Sequence, residues 1–255
     1  MPTAGVEFAK VSYASPRSTD GQAGRFLLRD ISLELEAGTT TAVLGRSGSG
    51  KTTLLRMVNG LVTPTSGEVR VAGRRVVECD LVELRRGIGY VIQETGLFPH
   101  MTVERNAGMA MELAGKPRAE SWARLREVFE LVGMEYGECR GRYPWQLSGG
   151  QRQRVGLARA LATDPVVLLM DEPFGALDPV TRAEMQMMLR GLLERVGKTV
   201  LLVTHDLDEA LYLSHRVVFL SEGSIAADLS PEEIVGSNNP YVKDYVSAVH
   251  RVERA

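Results

Sequence analysis

The chain has 255 residues, 30 Lys and Arg against 32 Asp and Glu, a formal charge of −2, 44% hydrophobic and 24% charged residues. This length suits one large domain or a core with a subdomain, and the composition excludes a disordered, fibrous or membrane-embedded chain. No apolar run approaches the ~20 residues that cross a bilayer, and the near-neutral charge speaks against nucleic acid as a partner. The basic residues are 25 Arg and 5 Lys, which reads as coding bias, with arginine's phosphate geometry as the minor alternative. The N-terminus (MPTAGVEFAK) has no signal-peptide core, so a cytosolic chain is expected. Cys79 and Cys139 lie far apart and outside any CxxC pattern, so neither a structural disulfide nor a zinc site is expected.

Residues 6–13 and 28–35 alternate apolar and polar side chains, as half-buried strands do. Between them, residues 15–24 (SPRSTDGQAG) read as a polar, mobile loop. Residues 40–44 form a short apolar strand, followed by a Gly-rich loop and a helix over 52–60. A hairpin turning at Ala72-Gly73 is predicted over 67–77, and a further strand over 88–92. From 102 to about 133, Val103, Ala107, Met111, Trp122, Leu125, Val128, Phe129 and Val132 recur at helical spacing, and a second helix runs from about 150 to 162. Strands return at 166–170, 199–204 and 216–220, with helices over 179–196 and 206–213. The tail, 231–255, reads as helical and amphipathic, packing on the core. Strands alternating with helices predict an α/β fold whose mainly parallel sheet is covered on both faces. The core comprises 1–94 and 159–230, with an antiparallel β subdomain, and 95–158 is an inserted helical subdomain.

Gly45 to Thr52 reads GRSGSGKT, a full match to GxxxxGK[ST] between a predicted strand and a predicted helix. Gly45, Gly48 and Gly50 let the backbone curl so that its N–H groups point inward at phosphate, and the following helix adds its positive end. The expected nucleotide cradle is Gly45, Arg46, Ser47, Gly48, Ser49, Gly50, Lys51, Thr52 and Thr53. Lys51 supplies charge for the β- and γ-phosphates, and the Thr52 hydroxyl is a ligand for Mg²⁺. Strand 166–170 ends in Asp171-Glu172, at the sheet edge where open α/β sheets bind ligands. Asp171 suits a Mg²⁺-linked water, and Glu172 suits the general base that polarises attacking water. These motifs predict a P-loop NTPase with a RecA-like core.

A second phosphate-shaped nest follows. Residues 147–151 read LSGGQ at a helix start, continuing RQRVGLARAL. Ser148, Gly149, Gly150 and Gln151 stand where a helix N-terminus offers its N–H groups to an anion. A plain helix cap would explain the Ser-Gly-Gly turn alone. The first cradle already surrounds one triphosphate, so the second nest is expected to contact a nucleotide held by another copy. That predicts a head-to-tail dimer with two ATP molecules in its interface.

With these motifs in this order, the sequence resembles the ATP-binding subunits of ABC transporters over essentially its whole length. The resemblance implies that Tyr13 stacks on adenine and that Gln93 is the Q-loop glutamine, touching Mg²⁺ or water and sensing the transporter. It implies that Ala176-Leu177-Asp178 is the D-loop crossing the dimer interface and that His205 is the switch histidine facing the γ-phosphate. The segment from Gly96 to Asn106 (GLFPHMTVERN) follows the Q-loop, and its Phe98, Pro99, Met101 and Val103 are apolar for a loop. They either pack inside the domain or form a groove for a short cytoplasmic helix of a membrane permease.

The strings RRGIGYVIQETGLFPHMTVERN and LLMDEPFGALDPVTR resemble the osmoprotectant importers, which take up glycine betaine, choline and related quaternary amines. Importers of methionine, nitrate, phosphonate and polyamines have similar loops. The aromatic cage for a quaternary ammonium would belong to a separate solute-binding protein. Many osmoprotectant members carry paired CBS domains after the ATPase; this sequence ends at Ala255 without them, so regulation by that route is not expected. The resemblance implies a peripheral ATPase at the cytoplasmic face of the cell (inner) membrane, two copies on two permease subunits. The competing classes are an exporter motor and a soluble ABC-type ATPase of translation or DNA repair. The single motif set and the lack of a heptad insertion speak against the latter.

Overall fold

The computed structural model describes residues 5–15 and 26–252; the predicted mobile loop beyond Ser15 lies outside the described residues. The first half of the chain runs β1 (Val6–Ala14), β2 (Phe26–Leu35), β3 (Thr40–Leu44), α1 (Lys51–Val58), β4 (Ser66–Val71), β5 (Arg74–Arg75), α2 (Leu81–Arg86), β6 (Ile88–Val91) and α3 (Val103–Leu113). Next come α4 (Arg118–Leu131), α5 (Tyr136–Cys139), α6 (Gly149–Leu161), β7 (Val167–Asp171) and α7 (Pro179–Val196). The chain closes with β8 (Thr199–Thr204), α8 (Leu207–Leu213), β9 (Arg216–Ser221), β10 (Ser224–Leu229), α9 (Pro231–Val235) and α10 (Pro240–Val252). It divides into two compact units, Met1–Leu81 with Thr199–Ala255, and Val82–Lys198.

The first unit holds an antiparallel sheet in the order β2-β1-β4-β5 and a second set of strands in the order β10-β9-β3-β8. All five residues of β3 are buried, as is every residue of β8, the mark of parallel strands covered on both faces. β3 is parallel to both β8 and β9, with Leu44 opposite Thr204 and Phe219. The loops after β3 and β8 therefore leave from one edge, side by side. β10, antiparallel to β9, was not foreseen, because its residues are only partly buried and show no clean alternation. The turn before it did carry a signal: Glu222 and Gly223 both have positive φ, 47° and 80°, the pair that closes a two-residue hairpin.

Two expectations need correction here. The 67–77 hairpin turns at Ala72-Gly73 as predicted, with φ of 50° and 76°, but its second strand is two residues long and passes into a 3₁₀ turn, Val76–Glu78. Val76 leaves the ladder there and is buried. The tail is two helices, interrupted where Gly236 ends α9 and Pro240 starts α10, because proline suits a helix start and not its interior. Asn239 accepts the Tyr241 N–H at 2.9 Å and donates Nδ2 to the Ala226 carbonyl at 2.8 Å, pinning α10 to β10.

In the second unit β6 and β7 are parallel, with Val91 opposite Met170. The predicted apolar stripe forms the core faces of α3 (Val103, Ala107, Met111) and α4 (Leu125, Val128, Phe129). Gly115, with φ of 69°, separates the two helices. Trp122 departs from the stripe: it is 44% exposed, and its indole N–H donates to Glu104 Oε1 at 3.0 Å. The short α2, none of whose residues is buried, offered no apolar face by which to foresee it. No helix among the described residues is long and apolar enough to cross a membrane, and both cysteines are free thiols.

Candidate functional site of phosphate loop, strand-end acids and signature turn

In the first unit, the Gly-rich loop leaves β3 at Gly45 and feeds α1 at Lys51. An added Cβ at Gly45 would lie 2.3 Å from the Leu220 carbonyl oxygen. At Gly50, whose φ is +103°, it would lie 2.7 Å from Leu28 Cδ2. Only glycine tolerates so close an approach to the Leu220 carbonyl, and at Gly50 the left-handed backbone demands it as well. Arg46, Ser47 and Gly48 form the exposed tip, while Ser49 and Lys51 are buried and Thr52 and Thr53 half-buried. The Lys51 ammonium curls back over the loop, donating to the carbonyls of Gly45 at 2.7 Å and Arg46 at 3.1 Å. Ser49 Oγ is buried with no hydrogen-bond partner, a cost of ~1–3 kcal/mol that a bound anion's environment would offset. A curled backbone, a cation inside the curl and an orphaned hydroxyl make a cradle that fits phosphate.

The same unit brings two further predicted residues to this loop. Thr204 pairs with Leu44, so His205 emerges beside Gly45 at one strand edge, and its residue is exposed. Tyr13 pairs with Leu28 across β1 and β2, the residue that crowds Gly50.

In the second unit, the Val91–Met170 register delivers Gln93 and Glu172 to a shared edge, where Gln93 Nε2 donates to Glu172 Oε2 at 3.3 Å. Asp171 is 7% exposed and accepts the Tyr90 hydroxyl at 3.4 Å. Glu172 has φ of 46°, a left-handed backbone uncommon for a residue with a side chain. Strained positions of this kind concentrate where a side chain must be aimed. Within this unit, Asp171 and Gln93 offer hard oxygen donors of the type that holds Mg²⁺, as the Thr52 hydroxyl does in the first.

The signature turn has the cap geometry expected of a helix start. Ser148 Oγ accepts the Gln151 N–H at 3.2 Å, and Gln151 Oε1 accepts the Ser148 N–H at 3.0 Å, a reciprocal capping box. Gly150 is buried, and a Cβ there would lie 2.8 Å from Thr181 Cγ2, which seats the turn against α7. Asp178 caps that helix by accepting the Thr181 N–H at 3.1 Å, and this bond holds its carboxyl below the usual range.

Sequence reading missed two features of this unit. Arg159, on α6, donates to the carbonyls of Gly96 and Thr95, each at 2.7 Å. It ties the loop after Gln93 to the helix that begins at the signature turn. Nothing marks it in the sequence beyond an arginine in a helical repeat of arginines. The other is an aromatic pair: Tyr143 and Trp145 stack at 4.5 Å with an 11° tilt, and Trp145 is 65% exposed three residues before Ser148.

Burial is uneven across the 96–106 segment. Val103 and Asn106 are fully buried, whereas Phe98 is 41% exposed and meets His100 edge-on at 6.0 Å. Asn106 organises the segment. Its Oδ1 accepts the Phe98 N–H at 2.7 Å, and its two Nδ2 hydrogens are shared among the carbonyls of Phe98, Met101 and Thr102 at 3.0–3.1 Å. Asn106→Leu strands those groups and is expected to destabilise the chain by about 3 kcal/mol. Urea unfolding checks this; a loss below ~0.5 kcal/mol contradicts it.

A glycine cradle and strand-end acids on parallel strands define a P-loop nucleotide-binding protein. Residues 28–175 match the family described as ABC transporter, and the chain belongs to that family. It is 44% identical over 224 residues to the glycine betaine/carnitine/choline transport ATP-binding protein OpuCA of Bacillus subtilis, covering 88% of this chain and 59% of that one. It is 48% identical over 204 residues to the glycine betaine uptake system ATP-binding protein YehX of Escherichia coli, covering 80% and 66%. Among solved structures, an ATP-binding cassette in a dimeric, post-hydrolysis state bound to ADP and Pi aligns with TM-score 0.76 at 31% identity, covering 89% of this chain and 98% of that one. The chain spans about three fifths of the length of the curated relatives it matches.

Proposed function

We propose that this chain is the ATP-hydrolysing motor of an ABC importer for osmoprotectants of the quaternary-amine type. The observation that carries the motor reading is the phosphate cradle, with Lys51 folded into it and Ser49 Oγ left unsatisfied. The cargo reading is supported by the names of the relatives, several of which are glycine betaine, choline or carnitine transport proteins.

In this reading residues 45–53 and Lys51 bind the phosphates of ATP, and Tyr13 stacks on its adenine. Thr52, Gln93 and Asp171 hold Mg²⁺, which when bound neutralises charge on the β- and γ-phosphates. Glu172 takes the proton of the attacking water, and His205 holds the γ-phosphate side. Ser148, Gly149, Gly150, Gln151 and Asp178 serve a nucleotide bound by a second copy, so ATP closes a dimer and hydrolysis releases it. The dimeric state of the structural relative supports the pairing of two copies. The core, 1–94 and 159–230, does the chemistry; the helical subdomain, 95–158, transmits it through the segment from Gly96 to Asn106 to a permease at the cytoplasmic face of the membrane. A separate solute-binding protein delivers the solute, and nucleic acid has no part.

The test is co-purification from membranes with the native permease, reconstitution in vesicles with ATP on the motor side, and uptake of labelled glycine betaine or choline. ATP-dependent uptake of either supports the proposal. Uptake only of another solute overturns the cargo reading alone, and no ATP-dependent uptake of any solute overturns the motor reading.

A further inference from the structure

The C-terminal helix α10 reaches the switch loop. Its Tyr241 and Tyr245 rings pack edge-on against Phe219 of β9, at 6.3 and 5.6 Å, and Val242 between them is fully buried. Asn239 fixes the helix start to β10. So held, Tyr245 donates its hydroxyl to the backbone carbonyl of His205 at 2.8 Å, forty residues away in sequence.

The backbone on either side of His205 is tied locally. Thr204 Oγ1 accepts the Asp206 N–H at 3.0 Å and donates to Glu209 Oε2 at 3.1 Å. Asp206 caps α8 by accepting the Glu209 N–H at 3.1 Å. The His205 carbonyl reaches outside this turn, to Tyr245. Burial, with Tyr241 and Asp206 adding to it, pushes the Tyr245 hydroxyl up to about 12, so it remains a donor throughout the neutral range. Arg46, at the tip of the phosphate loop, acts on the same hydroxyl in the opposite direction. The hydroxyl therefore sits within electrostatic reach of both nucleotide-facing loops of its unit.

We infer that Tyr245 is a positioning residue for ATP hydrolysis: by holding the His205 carbonyl it fixes the angle at which that side chain leaves β8, and it makes the seating of α10 a condition for turnover. The inference rests on the ATPase reading above. The geometry explains why a helix remote in sequence has a polar tip on the switch loop, where packing alone required only its aromatic rings.

The experiment is Tyr245→Phe in the full chain, which keeps the ring and removes the hydroxyl. One hydrogen bond's net worth predicts a kcat lower by about 2- to 12-fold, with ATP Kd and KM within about twofold of wild type. The melting temperature should fall by about 1–6 °C, the worth of that one bond, and amide exchange should rise in residues 204–208 while α10 stays protected. An unchanged kcat overturns the inference. So does a fall in kcat accompanied by weaker ATP binding, a melting temperature lowered beyond that range and faster exchange along α10, which is general loosening. A wild-type chain that binds ATP without hydrolysing it overturns the ATPase reading, and the inference with it.

Discussion

Lys51→Ala is expected to abolish ATP binding. The ammonium lies inside the cradle, and it closes the loop by bonding the Gly45 and Arg46 carbonyls. Alanine removes the charge partner of the phosphates and also the brace that holds the curl. Charge-assisted hydrogen bonds contribute ~1.5–3 kcal/mol each, so affinity should fall by about 100-fold or more. Titration of a fluorescent ATP analogue measures it, and an affinity within about threefold of wild type contradicts the loop assignment. The helix itself should survive, since α1 buries Leu54, Leu55, Met57 and Val58 independently of the lysine.

Glu172→Gln separates binding from chemistry. The amide preserves the shape of the side chain and its place beside Gln93 Nε2, but it cannot accept the proton of water. Loss of a positioned general base costs ~10²- to 10⁴-fold in rate. ATP affinity should be kept, and the nucleotide-closed dimer should accumulate, visible as a doubled mass by light scattering. A turnover rate equal to wild type removes Glu172 from the base role. The backbone constraint sharpens the choice of substitution: at φ of 46° a β-branched residue would add strain of its own, confounding the chemistry.

The chemistry-bearing loops were legible because each joins a strong local signal to a register the sequence also fixes. Buried parallel strands read as apolar runs whose ends mark the binding edge, so the loop at Gly45 and the acids at Asp171-Glu172 stood out in the sequence, whereas Gln93 and His205 were named only through the family resemblance. What escaped was set by tertiary packing. β10 is half-buried on a sheet margin, α2 buries nothing, and Trp122 sits on the core stripe by spacing yet turns outward to Glu104. Arg159 and Tyr245 escaped for a related reason. Each acts through a backbone carbonyl distant in sequence, and a carbonyl leaves no trace in residue identity.

The stacked pair ahead of the signature turn has a practical consequence. The chain contains two tryptophans, and only Trp145 stands beside Ser148, its indole largely in water. With Trp122 changed to phenylalanine, the protein has a single tryptophan, at the rim of that turn. Any body that settles there will shift its emission to shorter wavelength and shield it from iodide. Trp145 thus offers an optical gauge of docking at that turn, readable without a dye.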